Sequence, residues 1–147
     1  MIKGKVLLLD PVVKPQEIRG ESKTRQSSET FGKQGEEFAA SHLQNLGFKI
    51  LETNYKKFFG EIDIIAQKKD LVVFVEVKAR KNSQISMLEI VRPSKQKKII
   101  LVAKSYMGRH NLYNVTCRFD VALIHMIDNK KQEFVYVENA FGEQQEY

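Results

Sequence analysis

The chain has 147 residues, 42% hydrophobic and 29% charged, which predicts one globular domain with a real core and excludes a disordered chain. No apolar run has the length of a bilayer span, and Val6-Leu7-Leu8-Leu9 is cut short by Asp10-Pro11, so a cytoplasmic protein with no membrane partner is expected. Cys117 is the single cysteine, which excludes an intramolecular disulfide and a thiolate metal cluster, and a net charge of +6 with a pI near 9.4 favours a polyanionic partner such as nucleic acid.

Residues 1 to 30 contain Pro11, Pro15 and a polar run from Gly20 to Thr30 without a sustained period. They are expected to form a flexible N-terminal extension, leaving 31–147 as the domain proper. From Phe31 the pattern is helical, with Phe38, Ala39, Ala40, Leu43 and Leu46 on one face and Gly47 as the stop. Phe48 to Tyr55 reads as a strand, and Glu61 to Ala66 and Leu71 to Ala79 as the arms of a hairpin turning at Gln67-Lys68-Lys69-Asp70. Ser83 to Val91 fits neither period. Pro93-Ser94 opens a second helix with Ile99, Ile100, Val102, Ala103, Tyr106 and Met107 as its apolar face before Gly108. Val115 to His125 and Phe134 to Val137 complete the set as strands joined through Asp128-Asn129-Lys130-Lys131. The order αβββαββ predicts an α/β domain, a mixed central sheet flanked by helices.

Two strands carry acids inside β-branched runs, at Gly60-Glu61-Ile62-Asp63-Ile64-Ile65 and Val75-Glu76-Val77-Lys78. A carboxylate in a buried strand is costly to keep ionised unless a cation or hydrogen-bond donors compensate it. Strand alternation puts Glu76 and Lys78 on one face with Val72, Phe74 and Arg80, roughly 7 Å apart. Asp63 joins that face if the hairpin register sets it opposite Phe74 or Glu76, and a one-residue slip would put it on the other. On the first helix, spacing of about 100° per residue turns Glu36 inward with Ala39, Ala40 and Leu43, while Glu37 faces out. Oxygen ligands alone suit Mg²⁺, with Mn²⁺ as a substitute. The chemistry that follows is metal-assisted phosphodiester hydrolysis. Asp63 and Glu76 would hold the ion, Glu36 would ligate directly or through water, and Lys78 would orient the attacking water or stabilise the phosphorane charge.

Other residues have simpler readings. Lys56, Lys57, Arg80, Lys81, Lys95, Lys97 and Lys98 are candidates for phosphate contact, set against a solvated basic surface. Glu61 reads as partner to a nearby cation, Asp120 with Arg118 as a structural salt bridge, and Phe58-Phe59 as core rather than a base-stacking pair. His42, His110 and His125 share no metal-ligand spacing.

Gly35-Glu36 with Ala39, Leu43 and Gly47, Gly60-Glu61-Ile62-Asp63, Val75-Glu76-Val77-Lys78 with Arg80, and Cys117-Arg118-Phe119-Asp120-Val121 closely resemble, in order and spacing, the YraN-like family of uncharacterised bacterial proteins. That family is similar to archaeal Holliday-junction resolvases and the wider restriction-endonuclease-like, PD-(D/E)XK group. The resemblance covers about residues 31 to 142. It implies a restriction-endonuclease-like, Mg²⁺-dependent nuclease core, in which Asp63 takes the place of the metal-binding Asp, Glu76 and Lys78 that of the Glu-x-Lys, and Glu36 that of the helical Glu. Ile62 stands where the wider group often has Pro. The function expected is an endonuclease on structured, including branched, DNA, and the resolvase likeness implies a homodimer. The rival expectations are a nucleic-acid-binding module without turnover and a protein-interaction scaffold.

Overall fold

A computed structural model describes residues 4–8, 25–81, 91–128 and 131–143. Its elements are β1 (Gly4–Leu8), α1 (Arg25–Asn45), β2 (Lys49–Lys57), β3 (Gly60–Lys68), β4 (Leu71–Lys81), α2 (Pro93–Arg109), β5 (Thr116–Asp128) and β6 (Lys131–Phe141). The strands form one sheet in the order β1-β6-β5-β4-β3-β2, antiparallel except for the β4–β5 pair. A parallel pair needs a crossover, and α2 lies within it.

From α1 onward the order is the expected αβββαββ. The exception is at the N-terminus, where the lead-in expected over 1 to 30 contains a strand, and α1 begins at Arg25 rather than Phe31. Gly4 to Leu8 pair with Val137 to Glu133, adding a sixth strand at the β6 edge. An open edge recruits backbone by hydrogen bonds, so the short β-prone run beginning at Gly4 needs no long period of its own to become a strand. Residues 9–24 lie outside the described residues, as does 82–90, which holds nearly all of the segment that fitted neither period.

Strand β4 shows why the sheet is buried on both faces. Val73 and Val75 join Ala39, Leu43, Ile64, Ile124 and Phe134 in a core beneath α1, while Val72 and Phe74 join Ile99, Val102, Tyr106 and Phe119 in a second core beneath α2. Alternate residues of one apolar strand thus serve two helices. Gly35 lets α1 come down onto β4, because a Cβ there would stand 3.3 Å from Val77 Cγ1 and 3.6 Å from Ala79 Cβ. On the other face Tyr106 meets Tyr55 edge-on at 5.1 Å and Phe74 at 6.2 Å, fixing the β2–β3 hairpin to α2.

The fold carries one fully buried acid away from the paired strands. Between the rungs Phe119↔Phe141 and Val121↔Val137, β5 contributes only Asp120 while β6 contributes three residues. This bulge, with Asn139 at φ 52°, withdraws the Asn139 N–H from the ladder. Asp120 replaces the lost partner, since its Oδ1 accepts from Asn139 N at 2.8 Å and from Arg118 Nε at 2.8 Å. Its Oδ2 accepts from Arg118 Nη2 at 2.9 Å and from Tyr136 Oη at 2.7 Å. Burial and then the Asp120 carboxylate push the Tyr136 hydroxyl far above its ordinary range, so it stays a donor. The arrangement is structural, as the Arg118–Asp120 spacing suggests. Removing the acid strands a half-buried guanidinium, a hydroxyl and a backbone donor at once. Asp120→Ala is therefore expected to cost about 3 kcal/mol in urea unfolding, and a loss below about 1 kcal/mol would show the network to be dispensable.

Candidate active site

The site forms where the sheet splits. The β3–β4 ladder runs from Lys68↔Leu71 to Ile64↔Val75 and stops there, whereas β2 and β3 stay paired as far as Lys57↔Gly60. Extending the β3–β4 register would set Asp63 across from Glu76, one of the two alignments the sequence allowed. The ladder ends instead, and Asp63 Oδ2 accepts the N–H of Val77 at 2.7 Å. A side chain thus takes the backbone donor that the diverging strand has abandoned.

Side-chain alternation breaks at the same place. Ile62 lies in the core under α2 and Ile64 in the core under α1, although residues two apart on a regular strand share a face. Asn54, opposite Asp63 in the β2–β3 register, takes φ 51°. Its amide donates to Glu36 Oε2 at 3.1 Å. The split therefore lets one carboxylate, Asp63, feel charges carried by α1 and by the opposite face of β4.

Glu76 is 2% exposed. Its Oε1 is held by Lys78 Nζ at 3.1 Å and by Lys95 Nζ at 2.5 Å, while its Oε2 is buried with no hydrogen-bond partner. Lys95 sits in the first turn of α2, where a cation opposes the helix dipole, and no side chain caps that terminus. Burial works against the Lys95 ammonium, but its hydrogen bond and charge contact with Glu76 outweigh this and hold it above its ordinary value. Lys95, a candidate for phosphate contact, is held on Glu76 in this structure. Only the tertiary position of α2 over β4 could reveal this.

Asp63 titrates unusually. Burial, then Glu76, then more weakly Glu36 raise it to about 7, against the opposing pull of the Val77 N–H and Lys95. Three carboxylates and two lysines are thus electrostatically joined through Asp63 and Glu76. Among the described residues, however, no group of three His, Cys, Asp or Glu side chains stands close enough together to hold one metal ion. The arrangement is a pair, Asp63 and Glu76, with Glu36 set back and engaged by Asn54. A hard cation fits that pair on two grounds: Glu76 presents an unpartnered buried oxygen, and Asp63 pays for ionisation that a cation would relieve.

The remaining basic residues scatter. Lys56 is exposed and 4.0 Å from Glu61, a weak surface pair in line with the reading of Glu61 as a partner to a cation. Lys57 lies 5.2 Å over the Tyr55 ring, and Arg80 donates to the Ala79 carbonyl at 3.2 Å. Lys97 and Lys98 are exposed on the first two turns of α2, and Lys81 ends β4. Phe59 packs against the core under α2, but Phe58 does not, being 99% exposed. The reading of both as core is corrected for Phe58, because a two-residue hairpin turn can bury only one of its side chains against α2.

The raised Asp63 predicts a pH-dependent cost. The unfolded chain releases this proton near pH 3.8 and the folded chain near 7, so stability falls as pH rises between the two values and the loss is complete above the higher one. Asp63→Asn keeps an acceptor for Val77 and abolishes the titration. In EDTA the variant is expected to match the wild type near pH 3.5 and to exceed it at pH 8 by about 1–3 kcal/mol in unfolding free energy. A gap that stays constant across that range would overturn the assignment.

Among the described residues no helix is long and apolar enough to cross a membrane. The model of the uncharacterised protein family UPF0102 matches residues 35–124, a span that includes Glu36, Asp63, Glu76, Lys78 and Lys95. A UPF0102 protein of Alkaliphilus metalliredigens is 40% identical over 115 residues, covering 78% of this chain and 99% of its own length. One from Clostridioides difficile is 43% identical over 108 residues (73% and 92%), and one from Geotalea daltonii 38% identical over 125 (84% and 97%). The family model thus spans the strands between which the sheet splits, all of α2 and α1 from Gly35 onward, and the chain belongs to the UPF0102 family, the YraN family whose motifs its sequence displays.

Proposed function

We propose that the protein is a metal-dependent endonuclease acting on structured DNA. The observation that carries this reading is Glu76 Oε2, a buried carboxylate oxygen with no partner, on a strand facing the ionisation-resistant Asp63. Asp63 and Glu76 are the residues that would hold Mg²⁺, or Mn²⁺ in its place, with Glu36 acting through water. Such an ion supplies Lewis-acid polarisation of a phosphate and a more acidic bound water. Lys78, about four-fifths buried beside Glu76, would orient the attacking water and oppose charge developing on phosphorus. Lys95 is a second cation on the same carboxylate, and with a metal on Glu76 it would be available to phosphate. Lys97 and Lys98, on the same exposed end of α2, extend that positive surface.

A second reading, a nucleic-acid-binding module without turnover, is supported by Glu76 Oε1, which two lysines already neutralise without a metal. Cleavage separates the two. A labelled four-way junction, flap, single strand and duplex, incubated at low salt with Mg²⁺ or Mn²⁺ against EDTA, are expected to show metal-dependent cutting that falls at least about 100-fold in Glu76→Ala. Equal cutting by wild type and variant would overturn the nuclease reading, and salt-sensitive binding with no product would leave the second in its place.

The lysine pair gives a further expectation. Because Lys95 competes for Glu76, Lys95→Met is expected to tighten Mn²⁺ binding by about fivefold in calorimetry while slowing cleavage, since it removes a competitor from the ligand and a cation from the phosphate. Metal binding that is unchanged or weaker in the variant would show that Lys95 does not compete for the metal's ligand.

A further inference from the structure

Single exposed apolar side chains are ordinary on protein surfaces. Phe58 differs in degree, since Leu101 at 54% and Tyr113 at 74% retain some cover while Phe58, at 99%, has none. It differs also in place. Phe58 and Phe59 are the two turn residues between Lys57 and Gly60, which face each other across the β2–β3 hairpin. Such turns ordinarily use Gly, Asn or Asp at positive φ, yet neither phenylalanine has positive φ. Turn chemistry therefore does not account for the pair. Packing accounts for Phe59, which lies against the core under α2. Among the described residues, no core cluster includes Phe58.

The hairpin tip that carries the ring is seated on α2. Phe59 meets the ring edge-on with centroids 4.8 Å apart. Gly60 lies so close to α2 that a Cβ there would stand 3.1 Å from Val102 Cγ2 and 3.4 Å from Lys98 Cβ, which fixes the tip of the hairpin on the helix. Lys56 and Lys57 directly precede the tip, the first 4.0 Å from Glu61 and the second over the Tyr55 ring, and Lys98 of α2 backs onto Gly60. The strand that begins beside the tip at Gly60 carries Asp63 three positions further on, about 10 Å at strand rise.

From this we infer that Phe58 is a stacking post for an unpaired nucleobase, so that the molecule engages nucleic acid where a strand leaves the duplex. A solvated aromatic ring on a seated hairpin tip, with lysines nearby in the chain and on α2, matches a base's π-face and its neighbouring phosphates. A paired base inside a duplex presents no such face. The inference rests on the nucleic-acid reading above and narrows its substrate to single strands, flaps and junction arms. The distance to Asp63 puts the stacked base a few nucleotides from the phosphate at the site.

The chain contains no tryptophan, so Phe58→Trp places one reporter at the post. Anisotropy and tryptophan emission are to be measured in EDTA on single-stranded, flapped and blunt-duplex oligonucleotides, with cleavage by wild type in Mg²⁺ scored separately. Emission of Phe58→Trp is expected to be quenched by single-stranded and flapped DNA and little changed by duplex. Phe58→Ala is expected to bind the first two about tenfold more weakly than wild type and duplex equally well, with an unchanged unfolding midpoint because the ring touches solvent. Binding unaffected by Phe58→Ala, an equal loss on duplex, or an emission change that follows protein concentration without DNA would each overturn the inference, the last by pointing to self-association. Phe58-dependent binding without cleavage would sustain it while removing the nuclease, and the absence of all binding would remove both.

Discussion

The parting of β3 from β4 beyond Ile64 and Val75 is the constraint on which the rest of the site depends. A continuous ladder would pair the Val77 N–H with backbone and leave Asp63 on one face of a closed sheet. Because the strands diverge, Asp63 accepts that N–H and sits in the gap, exposed to charge from both faces. Two buried cores hold the gap open. Gly35 seats α1 on Val77 and Ala79, and Tyr106 seats the hairpin on α2.

The same split explains why the site is electrostatically strained while the sheet around it is quiet. Asp120 is more deeply buried than Glu76, yet each of its oxygens has two donors. Glu76 has two cations on one oxygen and nothing on the other. A structural carboxylate is satisfied throughout, whereas this one keeps a lone pair in reserve inside the protein. Lys95 in the first turn of α2 adds to the contrast, since a cation is placed against the helix dipole for the sake of one carboxylate.

The UPF0102 model spans the parted strands, all of α2 and α1 from Gly35 onward, so the geometry belongs to the part of the chain that marks the family. Strand β1 lies outside the span matched by the family model and is added at the far edge, on β6, with three strands between it and Asp63 on β3. Within the shared part, the hairpin of β2 and β3 carries a carboxylate along its length and an uncovered aromatic ring at its tip.

The sequence by itself determined what depends on near neighbours. Alternation along Val72 to Lys78 placed Glu76 and Lys78 on one face, helical spacing turned Glu36 inward and Glu37 outward, and the apolar face of α2 was legible from Ile99 to Tyr106, because each property repeats within a few residues. Tertiary structure decided what depends on how distant segments meet. The place where the β3–β4 ladder stops, the strand that Gly4–Leu8 adds to β6, the reach of Lys95 to Glu76 across a chain crossover, and the exposure of Phe58 beside a buried Phe59 all follow from non-local packing. Periodicity reports which side of an element is apolar; it carries no information about where a partner strand ends or which helix end comes to rest over it.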